Sequence, residues 1–382
     1  MNVNEIARYG LMAAMAVLAY FMLLAWNEDA AEAAKRAPAP EQVVTLAADP
    51  APSAEALPEA WEPAENAAGD LPTLAAPTAG VTGGAVVIET DVLRIQLDSY
   101  GDVVYAALRD HPVALDRPDD PFVILETRGG FTYLARSGLV GKDGLDRAGQ
   151  RARFQAAQAR YELDDAQAVL EVPLVYDDLE RGLRVEKRYT LRRGDHALSL
   201  SYHVQNLGEA SRTLALYGQL KRSAGLAPGQ SENGMGPRSY VGAAFTTEES
   251  RYEKVDFDDL DDAPFSLSQR DGWLAMLQHY FLTAWVPSAG EEMVRYSARA
   301  LSDGTYVAEF VQPQTTLAPG STATLEATLY VGPKAQARLE ALSPNLSLTV
   351  DYGFLWWIAV PLSNSLNCSI TWFTTGAWPS FC

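Results

Sequence analysis

The chain has 382 residues, of which 48% are hydrophobic and 21% charged, and this composition is typical of a folded protein rather than a disordered one. Its net charge of -19 argues against nucleic-acid binding, because contacts to phosphates need clustered Lys and Arg. The two cysteines are Cys368 and Cys382, so disulfides and cysteine metal sites are excluded from the body of the chain.

The first apolar segment, Tyr9 to Trp26, predicts a transmembrane anchor within residues 1–26. It contains no charged residue, and at a rise of 1.5 Å per residue it reaches roughly 27 Å, enough to cross a bilayer core. Tyr9 and Trp26 flank it as interfacial aromatic residues, with Leu11 and Phe21 in the apolar stretch between them. Arg8 on one side predicts a cytoplasmic amino terminus and an exported body.

The segment that follows the anchor is rich in small residues. At residues 31–33, "AEA" has the pattern of a signal-peptide cleavage site, so a cleaved leader is the alternative to an anchor. We favour the anchor, because this site follows Asn27, Glu28 and Asp29 and the apolar run is longer than a usual signal-peptide core. Residues 27–85 are dominated by Ala, Pro and Glu without periodicity, which predicts a disordered linker.

From Val86 onward, apolar residues recur at every second position, which is the spacing of half-buried β-strands. A hairpin is predicted over residues 93–108, a strand pair over residues 182–206 and a further strand over residues 322–331. Because no internal repeat is present, residues 86–332 predict one mainly β, antiparallel two-sheet sandwich. The sequence "KAQARLEAL" then predicts a short closing helix within residues 333–349. In the strand pair, the side chains predicted to face the core are Leu198, Leu200, Tyr202 and Val204.

The sequence offers no convincing catalytic or metal-binding constellation. His196 and His203 are an odd number of residues apart on one predicted strand, so they should face opposite sides and not converge. We therefore predict no catalytic residue, no cofactor and no metal site. The four histidines considered are His111, His196, His203 and His279.

Three other segments are candidate sites. "GQSENG", residues 229–234, has the wrong glycine spacing for a nucleophile elbow and is predicted to be a loop. "DFDDLDD", residues 256–262, lacks the glycine of a calcium loop and is predicted to be a solvated acidic loop. "GWLAMLQHYFLTAWVP", residues 272–287, is predicted to be core. The alternative is an exposed platform in which Trp273 and Trp285 bind a sugar or a partner protein.

Several segments together resemble one known family. They occur in the order "SGLVGKDGLD", "YGQLKRS", "YVGAAFTTEESRYEKVDFDDL", "GWLAMLQHYFLTAWVP" and "LTVDYGFLWWIAVPL". In this order, behind an amino-terminal anchor, they resemble the first periplasmic domain of the YidC family of bacterial membrane-protein insertases. The resemblance implies a β-supersandwich, related in shape to carbohydrate-binding and sugar-epimerase folds, with a closing helix. It also implies that residues 350–362 begin a second membrane segment, with Tyr352, Trp356 and Trp357 at its entry.

The function implied by this resemblance is not enzymatic. The family inserts and folds integral membrane proteins in the inner membrane, alone or beside the Sec translocon. Its insertase core consists of five further membrane helices around a groove that holds an arginine. The implied partners are the lipid bilayer, nascent membrane proteins, and the Sec translocon with its auxiliary subunits.

Residues 363–382 depart from the family pattern, because Ser, Thr and Asn interrupt the hydrophobic stretch that a membrane span needs. A permitted choice of codons for residues 367–382, read one base out of register, yields a family-like continuation, which indicates a frameshifted tail. We therefore expect this chain to lack the insertase core, to be inactive alone and to retain at most a docking role. The alternatives are an anchored periplasmic carbohydrate- or protein-binding sandwich and, with less support, an epimerase-like enzyme.

Overall fold

The computed structural model describes residues 86–350, except residues 115–116, 148–149, 226–239, 248–249, 289 and 291. Within this part of the chain, no helix is both long enough and apolar enough to cross a membrane. Several predictions lie outside the described residues: the anchor with Tyr9, Leu11, Phe21 and Trp26, the linker over 27–85, the loop at 229–234, the membrane entry with Tyr352, Trp356 and Trp357, and the tail over 363–382.

The described residues are mainly β. Two short α-helices, α1 (Phe257–Asp262) and α2 (Gln336–Leu342), and a 3-10 helix (Leu346–Thr349) accompany the strands. The strands are β1 (Val86–Glu89), β2 (Leu93–Leu97), β3 (Val103–Ala114), β4 (Arg117–Arg128), β5 (Phe131–Val140), β6 (Gln155–Ala156), β7 (Arg160–Glu162), β8 (Val169–Asp178), β9 (Leu183–Arg192), β10 (Ala197–Asn206), β11 (Arg212–Ser223), β12 (Gly242–Phe245), β13 (Glu253–Val255), β14 (Phe265–Arg270), β15 (Leu274–Leu277), β16 (Phe281–Ser288), β17 (Met293–Ala300), β18 (Thr305–Val311), β19 (Thr315–Leu317) and β20 (Thr322–Pro333).

These strands form two large sheets. The first has 11 strands in the order β14-β17-β18-β11-β5-β4-β3-β2-β1-β7, with β19 added beside β11. The second has nine strands in the order β13-β12-β15-β16-β20-β10-β9-β8-β6. Apart from the parallel pair β1 and β7, the strand pairs described here are antiparallel, so the predicted antiparallel architecture is confirmed.

One apolar core lies between the two sheets. It takes residues such as Ile95 and Leu216 from the first sheet and Leu329 from the second. In β10 the buried positions alternate as predicted, while Ser199 and Gln205 on the other face are exposed. The alternation in the sequence therefore identifies the inner face of this strand correctly.

A second, smaller apolar cluster covers the outer face of the second sheet. Tyr330 on β20 and Trp273 before β15 contribute to it from the sheet, and Leu339 of α2 and Leu346 of the 3-10 helix cover them. The short closing helix is thus present directly after β20, and it packs on the sheet from outside.

Two predictions about local structure need correction. The acidic run is not a loop but the helix α1, because Phe257 and Leu260 are spaced to bury one helical face while the aspartates stay exposed. Trp273 and Trp285 are both 0% exposed, so the alternative of an exposed aromatic platform is wrong. Their segment forms the hairpin of β15 and β16, and its rings fill the two apolar clusters.

Candidate functional site

A group of charged side chains is buried between the sheets around Asp102. This residue follows a tight turn between β2 and β3, in which Gly101 has a φ of +69°. The side chain of Asp102 is 1% exposed, and those of Arg151 and Lys187 are 8% and 0% exposed. Charges that are this deeply buried need partners, because desolvation of an unpaired charge is costly.

Arg151 is the main partner of Asp102. Its Nη1 and Nη2 donate to the two carboxylate oxygens at 2.6 and 3.1 Å, which is a bidentate pair. Burial by itself would raise the pKa of Asp102, but Arg151, Lys187 and Arg136 together lower it below its ordinary value. Asp102 therefore remains ionised inside the core.

Lys187 reaches the same carboxylate from the second sheet. Its Nζ lies 3.9 Å from Oδ1 of Asp102 and donates to the carbonyl oxygens of Tyr100 and Ser137, each at 3.3 Å. Burial lowers the pKa of Lys187 to about 8, although Asp102 opposes this shift. Since Lys187 is on β9 and Asp102 precedes β3, this contact joins the two sheets.

A second carboxylate, Asp146, completes the group. It accepts a hydrogen bond from the Tyr217 hydroxyl at 3.1 Å, and its Oδ1 lies 3.8 Å from Nε of Arg151. Burial raises the pKa of Asp146. A Cβ at Gly138 would lie only 1.7 Å from Oδ2 of Asp146, so glycine is required at that position.

This buried group has the perturbed pKa values that are common at active sites, but its geometry is that of a structural network. The side chains of Asp102, Asp146, Arg151 and Lys187 are 0–8% exposed and directed at one another. We interpret the group as a polar link between the sheets.

A second group of titratable side chains lies nearer the surface. Asp110 and His111 of β3 meet His196, which precedes β10, and one oxygen of Asp110 contacts both rings. The histidine rings are 6.0 Å apart between centroids. By contrast, His203 contacts Ser201 and Thr324. His196 and His203 thus do not converge, as predicted, whereas the contact between His111 and His196 was not predicted.

Sequence reasoning missed both groups, although one of them left a signal. Lys187 occupies an inward position of β9 between Val185 and Tyr189, so the period-two pattern contains a charged residue on its core face. The pairing of His111 with His196 left no such signal, because β3 and β10 belong to different sheets and are far apart in the chain.

Comparison with known families accounts for the whole described region. The family model for the YidC periplasmic domain matches residues 85–364. The chain belongs to the YidC family. A relative named "Membrane protein insertase YidC" from Alcanivorax borkumensis is 38% identical over 372 residues, which cover 94% of this chain and 63% of that protein. Its namesake from Stutzerimonas stutzeri is 39% identical over 367 residues, which cover 94% and 64%.

The chain thus spans less than two thirds of the length of these YidC relatives. Their name describes insertion of membrane proteins, which is not an enzymatic role. Among solved structures, a galactose mutarotase-like protein from Lactobacillus casei ATCC 334 is similar, with a TM-score of 0.44 and 13% identity. That match covers 65% of this chain and 100% of the other.

Proposed function

We propose that this YidC family member serves in the insertion and folding of integral membrane proteins in the inner membrane, alone or with the Sec translocon. The observation that carries the proposal is the family match over residues 85–364, together with relatives named as insertases. Insertion is proposed for a full-length form, that is, a protein in which this domain is followed by the insertase core. For the described domain we propose docking to a periplasmic part of a Sec auxiliary subunit.

Two exposed leucines support a docking role at one end of the sandwich. Leu179, in the turn between β8 and β9, is 86% exposed, and Leu207, after β10, is 62% exposed. Their turns adjoin, because the N–H of Leu207 donates to the carbonyl oxygen of Gly182 at 2.7 Å. Acidic residues such as Glu180 and Glu209 lie beside them in sequence, so an apolar patch with a basic rim would suit this end as a partner.

Insertion and docking are tested separately in cells depleted of their own insertase. The full-length form should restore insertion of a test membrane protein, measured by protease protection, whereas the chain of 382 residues should not. Insertion by this shorter chain, or failure of the full-length form, would contradict the proposal.

For docking, the double variant Leu179→Ser, Leu207→Ser should cross-link to the Sec subunit several-fold less than the parent. Translocon-independent insertion should be unchanged, because these side chains lie on the periplasmic domain's surface. Leu348→Ser, at a leucine that is 44% exposed elsewhere, is the matched control. Equal cross-linking by the double variant and the parent would refute docking through these turns.

A further inference from the structure

The backbone of β3 brings two potential metal ligands together that a regular strand would separate. Successive side chains of a strand point to opposite faces. Here Leu108 pairs with Phe122, and Pro112 pairs with Pro121. Three residues of β3, 109–111, therefore separate two positions whose partners on β4 are adjacent in sequence. Asp110 and His111 belong to this bulge, and bulges commonly redirect side chains at functional positions.

The third ligand, His196, lies directly before β10 of the second sheet and is held in place by its surroundings. The carbonyl oxygen of His196 accepts the N–H of Val331 at 3.1 Å. Gly332 leaves room for the imidazole, since a Cβ there would lie 2.7 Å from Cβ of His196. The side chain of His196 is only 11% exposed, compared with 39% for His111 and 34% for Asp110.

We propose that Asp110, His111 and His196 bind one divalent transition-metal ion, with zinc as the ion to be tested. Imidazole and carboxylate groups suit zinc, and three protein ligands leave one position for water. His111 and His196 face the carboxylate of Asp110 through Nδ1 and Nε2, respectively. One ligand atom from each of the three residues lies within 4.8 Å of the other two.

The two distances to Asp110 are close to those of such a site. Zinc–nitrogen and zinc–oxygen bonds of about 2.1 Å place tetrahedral ligand atoms roughly 3.4 Å apart. The carboxylate oxygen of Asp110 lies 2.8 Å from Nδ1 of His111 and 3.4 Å from Nε2 of His196.

Aromatic side chains limit the movement of both imidazoles. The ring of Phe281 meets that of His111 edge to face at 5.8 Å and stacks on Phe122 at 4.2 Å. The ring centroid of Tyr330 lies 6.3 Å from that of His196. A bound ion would connect β3 of the first sheet with the start of β10 in the second.

The test is a calorimetric titration of the full chain in detergent with zinc. Cys368→Ser and Cys382→Ser are introduced into every sample, because these thiols could bind zinc themselves. We expect one ion per chain, and at least ten-fold weaker binding in His111→Ala and in His196→Ala. His203→Ala is the matched control and should bind like the parent. Zinc binding by His111→Ala and His196→Ala that equals binding by the parent would overturn the proposal.

A second measurement needs no variant at the site and remains valid if His196→Ala does not fold. In the same background, histidine labelled with ¹⁵N gives separate imidazole signals. Zinc should shift the signals of two histidines and leave those of His203 and His279 in place. Zinc binding that moves none of the signals, or no binding at all, would overturn the proposal.

Discussion

At the scale of single residues, Asp98 is a carboxyl group that is harder to ionise in the folded protein than in the unfolded chain. Burial, and then the nearby charge of Asp102, raise its pKa from 3.8 to about 6. Its Oδ1 accepts the N–H groups of Tyr100 and Asp102, each at 2.9 Å, and so shapes the turn that presents Asp102. The turn needs this acceptor but does not need its charge.

We therefore expect Asp98→Asn to change the pH dependence of stability. The folded state binds the Asp98 proton more tightly than the unfolded chain does. The contribution of Asp98 to the free energy of unfolding therefore falls as the pH rises from 3.8 to about 6. The free energy of unfolding of the variant, relative to that of the parent, should rise by on the order of 2 kcal/mol between pH 4 and pH 7. Urea unfolding at several pH values measures this gain.

The control for this experiment is Asp119→Asn, at an exposed position of β4. It removes a carboxyl group that does not belong to the turn before Asp102. A difference between Asp98→Asn and the parent that stays constant with pH would show that Asp98 does not ionise as the structure indicates.

At the scale of elements, α2 depends on the sheet beneath it. It has only seven residues, and a helix of this length is not stable by itself in water. Leu339 is 0% exposed and belongs to the cluster that also contains Trp273 and Tyr330. Apolar contact with the second sheet therefore holds the helix in place.

Leu339→Ala should detach this helix or weaken its attachment. The loss of a fully buried leucine typically costs about 2–5 kcal/mol, so amide hydrogen exchange in α2 should accelerate by at least ten-fold. Leu342→Ala, at a half-buried position of the same helix, should have a smaller effect. Unchanged exchange in Leu339→Ala would mean that α2 is held by other contacts.

The elements also show how far the sequence could predict the molecule. Period-two alternation located β2, β9, β10 and β20, because their faces differ in burial. The bulge in β3 could not be predicted, since it depends on the register with β4. The two polar groups were missed for a similar reason: Asp102 meets Lys187, and His111 meets His196, only after two sheets have packed.

At the scale of the whole molecule, the two sheets share one core. Residues of both sheets belong to the same apolar cluster, and the Asp102 network crosses between them. Neither inner face could remain folded in water without the other, because both would expose large apolar surfaces.

We therefore expect the two sheets to unfold together. Tryptophan fluorescence, which includes Trp285 in the shared core, and far-UV circular dichroism should give coincident denaturant transitions. The Asp98→Asn variant should keep that coincidence. Separate midpoints for the two signals would show that the sheets are independent units.

The attachment of the closing helix also determines how this domain would respond to a pulling force. A load applied at Val350 first meets the 3-10 helix and α2, whose side-chain contacts can separate one after another. β20 lies beyond them, and backbone hydrogen bonds to β10 and β16 flank it on both sides, so these would have to shear together. The 3-10 helix and α2 should therefore detach at a lower force than the strands need to separate, so that the two sheets stay folded when these helices detach.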